Sequence, residues 1–184
     1  MALILASQSP RRQQLLEQMG LTFTVRVADI DETMDPRLTP EEAVALVAER
    51  KAAAVAAGED DLVIAADTIV VLEDSILGKP RTPEEAERML RALSGRTHRV
   101  MTGVALRRGT KTDGFTEVTE VVFRTLSEEE IRAYVATKDP MDKAGSYGIQ
   151  SGFAIHIEKI EGDYFNVVGL PISYIYEELR KLNV

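Results

Sequence analysis

Two adjacent arginines follow a short apolar run near the start of the chain, in the sequence ILASQSPRR. Ser9 and Pro10 are typical of an N-cap and a first helical residue, so Arg11 and Arg12 fall in the first helical turn. The helix dipole disfavours cations at this end, whereas a helix N-terminus that follows a strand commonly binds phosphate. The pair therefore indicates an anion site, with ordinary solvated surface charges as the alternative.

An aspartate and a lysine occupy positions where the hydrophobic pattern predicts apolar side chains. Asp67 lies inside the run VIAADTIVV, where an unpaired carboxylate would cost several kcal/mol. It indicates a metal, a cation partner or a perturbed pKa, unless it caps a turn at the strand end. Lys51 falls on the apolar stripe of a predicted helix, beside Val47 and Ala48. Lys51 either extends from the edge of the core or points into a cleft.

Further polar candidates lie in two loops and one longer irregular stretch. ADIDET supplies Asp29, Asp31 and Glu32, which could bind Mg²⁺ through oxygen ligands or form a solvated loop. Lys79 lies between a glycine and a proline in LGKP, as an ordinary turn lysine would. Residues 137–152, TKDPMDKAGSYGIQSG, have the profile of a binding loop or of a plain connector. The candidates in this stretch are Asp142, Lys143, Tyr147 and Gln150.

The elements that must position these residues alternate between strands and capped helices, which predicts a mixed α/β fold. Helix starts are predicted at Pro10, at Thr39 with Glu42 closing a capping box, at Thr82, at Ser127 with Glu130, and at Pro171. Residues 61–72 predict a strand, or two strand pieces with a break. Residues 98–108 and 115–126 predict antiparallel strands joined by a polar loop around Gly109 and Gly114.

Two further predictions concern the second half of the chain. Residues 153–170 have the pattern of a hairpin that turns at Glu161-Gly162-Asp163. His98 and His156 are both predicted to lie on strands, far apart in sequence and without metal-ligand spacing. We therefore interpret both histidines as structural. The helix after Pro171 is expected to pack Ile172, Ile175, Tyr176 and Leu179.

Composition limits the classes of function. A chain of 184 residues with 45% hydrophobic content predicts one domain, residues 1–184, with a core that can divide into two lobes. The net charge of −8 disfavours nucleic-acid and anionic-membrane partners. The absence of cysteine excludes disulfides and zinc–cysteine sites, and neither common glycine-rich phosphate motif occurs. With no signal segment and no membrane-spanning apolar run in the sequence, we expect a cytoplasmic protein.

Six segments in order resemble the Maf family of nucleoside triphosphate pyrophosphatases over essentially the whole chain. They are LILASQSPRRQQLL, AADTIVV, LGKP, MLRALSGRTHRVMTGVAL, PMDKAGSYGIQ and KIEGDYFNVVGLPI. The resemblance implies a twisted central sheet with flanking helices in an elongated, two-lobed architecture with a central cleft, similar to inosine triphosphate pyrophosphatases. It also implies house-cleaning, metal-dependent hydrolysis between the α- and β-phosphates, which yields a monophosphate and pyrophosphate.

The resemblance also implies roles for individual residues. Ser7, Arg11 and Arg12 match the phosphate-binding opening, and Glu32, Lys51 and Lys79 match polar residues of the cleft. Asp67 matches the catalytic acidic residue and is expected to act as general base, while Glu32 and Asp67 could hold Mg²⁺ or Mn²⁺. An acidic protein needs such local cations to bind a triphosphate and to stabilise the departing pyrophosphate.

Substrate choice follows the positions that distinguish the family's subgroups, which match here as Arg11, Thr68 and Gln150. They resemble the dTTP and UTP subgroup rather than the 7-methyl-GTP subgroup. The Gln150 amide offers a donor and an acceptor suited to the O4 and N3 edge of uracil or thymine. The chain departs from the family pattern at Ala65, Ser146 and Ser151.

Two other classes of function stay open at the level of sequence. Members of the family are linked to arrest of septum formation, so the chain could act as a nucleotide-binding regulator with turnover secondary. A nucleotidyltransferase would use similar cations and carboxylates but would leave a nucleotide attached to an acceptor. Whether the chain forms a homodimer is left open as well.

Overall fold

The structure is a computed structural model that describes residues 1–27 and 29–182. The strands are β1 Leu3–Leu5, β2 Thr24–Val25, β3 Leu62–Leu72, β4 Ser75–Leu77, β5 Thr97–Arg108, β6 Lys111–Phe123 and β7 Ile157–Glu161. The α-helices are α1 Pro10–Gln18, α2 Pro40–Ala54, α3 Pro83–Leu93, α4 Glu128–Ala136, α5 Tyr164–Val168 and α6 Ile172–Lys181. Three 3-10 helices cover Asp139–Asp142, Ala144–Ser146 and Gly152–His156.

The strands form one mixed sheet in the order β2-β1-β3-β5-β6-β7, with β4 paired to β3. β1 is parallel to both β2 and β3, and Ile4 is in register with Val63. β3 and β4 are antiparallel, as are β6 and β7. The prediction of a mixed α/β fold with a central sheet and flanking helices is confirmed. Residues 62–72 form one continuous strand rather than two pieces.

Four of the five predicted helix starts are confirmed by side-chain caps, and α6 begins directly after Pro171 without one. The side chains of Ser9, Thr39, Thr82 and Ser127 each accept a hydrogen bond from a backbone N–H of the first turn. Thr39 with Glu42 and Ser127 with Glu130 form complete capping boxes. Each cap satisfies helix N–H groups that would otherwise lack a partner, which is why short polar residues mark these starts in the sequence.

The chain divides into two compact units, and the first comprises Met1–Asp67, Thr102–Glu117 and Gly169–Val184. Its core joins residues of β1, α2, β3 and β5, namely Ile4, Ala6, Ala48, Ala52, Val55, Val63, Ala65 and Ala105. Small side chains let α2 lie directly on the sheet. A Cβ at Gly103 of β5 would come within 2.6 Å of the Val44 carbonyl oxygen of α2. Only glycine fits at that position.

The second unit comprises Thr68–Met101 and Val118–Val168. Its core is more aromatic: Leu90 and Leu93 of α3 and Ile131 of α4 pack with Phe123 and Phe153. His98 lies in this core, 2% exposed, with Nε2 2.8 Å from the Tyr147 hydroxyl oxygen. The interpretation of His98 as a structural residue is confirmed. The predictions of one domain and of a central cleft stay predictions.

The predicted hairpin over residues 153–170 is wrong. Residues 152–156 form a 3-10 helix that contains His156, and α5 replaces the second strand. Asp163 causes the change, because its Oδ1 accepts hydrogen bonds from the N–H groups of Phe165 at 2.7 Å and Asn166 at 3.4 Å. Gly162, at φ +125°, lets the chain leave β7 in the required direction.

Smaller differences occur at β6 and α6. β5 and β6 are neighbours, as predicted, but their connection is Gly109 and Thr110, and Gly114 lies inside β6. On α6, Ile175 and Leu179 are buried as expected, whereas Tyr176 is 56% exposed. Among the described residues, no helix combines the length and the apolar character that crossing a bilayer requires.

Candidate active site

Arg12 is buried at the junction of β1 and α1. Its Nη1 donates to Ser7 Oγ at 3.2 Å, and its Nε donates to the Gly169 carbonyl oxygen at 2.8 Å. Ser7 Oγ also accepts from the Ser9 N–H at 3.2 Å. The guanidinium is therefore held in place before any ligand binds, and it lies in the first turn of a helix that has no acidic residue there.

The charge on Arg12 belongs to a larger electrostatic group. Burial lowers the pKa of the Arg12 guanidinium, the charge of Asp67 raises it, Arg11 lowers it and Glu32 raises it. Arginine remains protonated in proteins in spite of such effects. Arg11 precedes Arg12 in the same turn and is half-buried. A fixed cation beside two carboxylates is therefore built at the start of α1.

Lys51 is the centre of the carboxylate group. Its Nζ lies 2.7 Å from Asp67 Oδ1 and 2.9 Å from Glu32 Oε1. The Lys51 and Asp67 side chains are 12% and 14% exposed, whereas Glu32 is 57% exposed. Of the three explanations predicted for Asp67, a cation partner is confirmed, and that partner is Lys51. The Lys51 side chain in turn points to a polar site rather than to bulk solvent.

Helix α2 carries Lys51 into this position, and β5 fixes the end of the helix. Arg107 of β5 donates from Nε to the Ala52 carbonyl at 2.8 Å and from Nη2 to the Val55 carbonyl at 2.6 Å. The last carbonyls of a helix lack partners within the helix, so this guanidinium satisfies them. It therefore fixes the backbone next to Lys51.

The other predicted carboxylates do not join Glu32. Asp31 Oδ1 accepts from the Thr33 N–H at 2.9 Å, and the Thr33 hydrogen bonds lower the pKa of the Asp31 carboxyl. Asp29 is exposed. Within residues 1–27 and 29–182, no three His, Cys, Asp or Glu side chains form a group that could hold a metal. Asp31 therefore bonds within its own loop, whereas Glu32 contacts Lys51, the partner of Asp67. That these carboxylates bind Mg²⁺ stays a prediction.

The remaining predicted site residues lie in the second unit. Thr68 is half-buried in β3, and Lys79 is exposed after β4. The Gly78 carbonyl, next to Lys79, accepts a hydrogen bond from the Gly145 N–H at 3.1 Å. Gly145 has φ +70°, and a Cβ there would lie 2.7 Å from Val70 Cγ2. The segment that carries Lys79 is thus fastened to residues 144–146 through a position that requires glycine.

Lys143 and Gln150 lie in the stretch predicted to be a binding loop or a connector. Lys143 Nζ is 2.9 Å from Asp139 Oδ1 and 2.8 Å from Asp142 Oδ1, and its side chain is 13% exposed. Gln150 is exposed. The predicted substrate-binding roles of Thr68, Lys143 and Gln150, and the catalytic role of Lys79, stay predictions.

Three residues with positioning roles are not singled out by the sequence patterns. Gly169 contributes only a carbonyl to Arg12, which no side-chain pattern can indicate. Arg107 lies one residue before the end of β5, where the sequence pattern is that of a surface charge. Tyr134 fits the apolar face of α4, so the sequence pattern does not indicate that its hydroxyl donates a hydrogen bond to Asp139.

The sequence is similar to known proteins over nearly its whole length. The sequence profile of the Maf family, described as "Maf-like protein", matches residues 2–182. The dTTP/UTP pyrophosphatase of Geobacillus sp. (strain WCH70) is 54% identical over 181 residues, which cover 98% of this chain and 97% of that protein. The dTTP/UTP pyrophosphatase of Bacillus cereus (strain AH820) is 51% identical over 183 residues, covering 99% and 96%.

The similarity to solved structures is weaker. A HAM1 protein from Coxiella burnetii is 19% identical, with a TM-score of 0.49, over 85% of this chain and 92% of that one. A nucleoside-triphosphatase / dITP/XTP pyrophosphatase from Mycobacterium abscessus is 12% identical, with a TM-score of 0.42, over 67% and 73%. The profile match over residues 2–182 and the relatives above half identity identify this chain as a member of the Maf-like protein family.

Proposed function

We propose that this protein hydrolyses nucleoside triphosphates, dTTP and UTP foremost, to the monophosphate and pyrophosphate. The observation that carries the proposal is the contact of Lys51 with both Asp67 and Glu32, in the unit that also contains the prearranged Arg12. Fixed cations bind phosphate oxygens, and a neighbouring carboxylate can take a proton from water. Relatives above half identity that bear the name dTTP/UTP pyrophosphatase support the choice of substrate.

In the proposed reaction, Ser7, Arg11 and Arg12 bind the phosphate chain at the start of α1. The Asp67 carboxylate accepts a proton from the water that attacks the α-phosphorus. The bond between that phosphorus and the α,β-bridging oxygen breaks, and the oxygen leaves with pyrophosphate. Lys51 and Lys79 offset the negative charge that develops on this leaving group. No covalent intermediate is required.

A divalent cation fits the residues present. The carboxylates of Glu32 and Asp67 both contact Lys51 Nζ, at 2.9 and 2.7 Å, so the two groups already share one cation, the lysine ammonium. Carboxylate oxygens are the ligands that Mg²⁺ and Mn²⁺ prefer. When bound, such an ion would polarise the phosphates and lower the pKa of a coordinated water.

Product analysis of the purified protein tests this function. UTP, dTTP, CTP and 7-methyl-GTP are each incubated with Mg²⁺ or Mn²⁺ in ¹⁸O-labelled water. We expect UMP or dTMP with pyrophosphate, and one ¹⁸O atom in the monophosphate. Release of orthophosphate alone, or ¹⁸O in pyrophosphate, contradicts the proposed step. Tight binding without turnover favours the nucleotide-binding regulator, and a nucleotide attached to an acceptor favours a transferase.

A further inference from the structure

The hydroxyl of Tyr134 lies at the centre of the segment that carries Gln150. It donates a hydrogen bond to Asp139 Oδ2 and accepts one from the Gly148 N–H at 3.2 Å. Ser151 Oγ lies 3.4 Å from the same hydroxyl and donates to the Gly148 carbonyl at 2.9 Å. Gly148 and Ser151 flank Gln150, so one side chain of α4 holds the backbone at Gly148 and contacts the Ser151 side chain on the other side of Gln150.

Asp139 and Lys143 complete this arrangement. Lys143 Nζ donates to the Asp139 carbonyl at 2.7 Å, to Asp139 Oδ1 at 2.9 Å and to Asp142 Oδ1 at 2.8 Å. A Cβ at Gly148 would come within 2.7 Å of Lys143 Cε, so the aliphatic part of the lysine lies directly on the Gly148 backbone. We call Tyr134, Asp139, Lys143 and Ser151 the loop brace.

The brace is rigid because its centre is part of the core. Tyr134 is 8% exposed, and its ring packs against Phe153 with 4.7 Å between centroids. Burial and the adjacent Asp139 raise the pKa of the Tyr134 hydroxyl. The hydroxyl therefore stays protonated, and donates its hydrogen bond, at every physiological pH. Gln150, in contrast, is exposed, and no hydrogen bond between its own side chain and the described residues supports it.

We propose that Tyr134 is a positioning residue for base selection, which orients Gln150 by holding the Gly148 backbone, to which Ser151 is bonded in turn. This inference rests on the proposed function, with Gln150 as the residue that contacts the pyrimidine edge. An amide discriminates between uracil and cytosine only when its donor and acceptor have a fixed orientation, because the two bases differ in hydrogen-bonding pattern rather than size. Since Gln150 is otherwise unsupported, its orientation depends on the brace.

The test is Tyr134→Phe, which keeps the ring and removes the hydroxyl. We expect the ratio of kcat/KM for UTP to that for CTP to fall about tenfold, mainly through a higher KM for UTP, with kcat changed by less than about twofold. Tyr176→Phe, which removes the hydroxyl of an exposed tyrosine, is the matched control and should leave the ratio unchanged. An unchanged ratio in folded Tyr134→Phe overturns the inference.

Two additional measurements keep the inference separate from folding and from the proposed function. In the double variant with Gln150→Ala, the two losses of discrimination should not add, because both act through the same amide. Hydrogen exchange at residues 148–152 should accelerate in Tyr134→Phe, a readout that does not depend on turnover. Unchanged exchange there overturns the brace whether or not the enzyme is active.

The remaining outcomes are also decisive. If Tyr134→Phe does not fold, Ser151→Ala removes the other side of the brace and is expected to lower the same ratio. A wild-type enzyme that releases pyrophosphate equally fast from UTP and CTP overturns base selection but leaves the pyrophosphatase standing. A protein that releases no pyrophosphate from any triphosphate contradicts the proposed function itself.

Discussion

The ammonium group of Lys51 lies 2.7 Å from the Asp67 carboxylate, and both side chains are less than 15% exposed. Each charge compensates the cost of burying the other, and without Asp67 the buried Lys51 would retain its ion pair with the more exposed Glu32. The pair also defines a change that substrate binding must bring about. A metal at Asp67, or phosphate at Lys51, has to replace part of this contact, which links the stability of the free protein to catalysis.

Asp67→Asn separates binding from turnover. The amide is nearly isosteric and its oxygen still accepts a hydrogen bond from Lys51, but it cannot accept a proton from water at neutral pH. We expect kcat to fall about a thousandfold while UTP binding is retained or strengthened, because one negative charge next to the phosphates is lost. Calorimetry with UTP and a pyrophosphate-release assay measure the two quantities. Asp60→Asn, an exposed aspartate, is the control.

The outcome for Asp67→Asn discriminates between two roles. Turnover at the wild-type rate would eliminate Asp67 as the general base. Loss of nucleotide binding in a folded variant would instead make the residue chiefly a metal ligand.

Arg12→Ala and Lys79→Ala should differ in stability but agree in activity. Both variants lose a cation proposed to contact phosphate, so kcat/KM should fall roughly 10- to 100-fold in each. Arg12→Ala also removes the buried hydrogen bonds to the Gly169 carbonyl and to Ser7 Oγ and should cost about 1–3 kcal/mol of unfolding free energy. Lys79 is exposed, so we expect Lys79→Ala to have the same melting temperature as the wild type. Unchanged kinetics in both variants would make these residues ordinary cations.

Because His98 is buried, we expect the free energy of unfolding to decrease in acid. Burial lowers the pKa of His98 from 6.5 to about 4, so the unfolded chain takes up a proton at a pH where the folded chain does not. The free energy of unfolding should be unaffected above pH 6.5 and should decrease by about 3 kcal/mol as the pH falls from about 6.5 to about 4. Urea unfolding across this range measures the slope.

The matched pair for that experiment is His98→Gln and His156→Gln. His98→Gln should remove most of the slope, because no group that titrates in this range remains at the position. His156→Gln should retain it. A slope that persists in His98→Gln would assign the acid sensitivity to other residues.

Gly145→Ala should damage both stability and turnover. Its φ of +70° is strained for alanine, and the new Cβ would lie 2.7 Å from Val70 Cγ2. We expect the free energy of unfolding to decrease by about 2–4 kcal/mol. We also expect a lower kcat, because the hydrogen bond from Gly145 to the Gly78 carbonyl, next to Lys79, is displaced. Gly152→Ala has open space around its Cβ and serves as the control in thermal melts and kinetics. Equal melting temperatures would contradict the packing argument.

The accuracy of the sequence-based predictions depended on how local each signal is. Helix starts were predictable because a cap is contained within four residues, as Thr39 and Glu42 illustrate. The hairpin prediction over 153–170 failed because α5 has only five residues, too few to express a helical period, and its start depends on Asp163 alone.

The candidate site divides in the same way. Asp67 and Lys51 were recognisable because a charge in an apolar pattern requires a partner. Which of Asp29, Asp31 and Glu32 contacts Lys51 depends on how their loop folds back toward α2. A hydrophobic pattern in the sequence contains no information about that. Tyr134 was missed because a buried aromatic ring and a hydrogen-bonding hydroxyl produce the same sequence pattern.

The contact between Arg12 and the Gly169 carbonyl joins residues that are 157 positions apart. During synthesis, α1 leaves the ribosome long before the carbonyl that orients its arginine has been translated. A nascent or truncated chain that stops before residue 169 therefore has the arginine but not the geometry, and it should bind triphosphate poorly. The order of translation thus delays the fixed geometry of Arg12 until a late stage of synthesis.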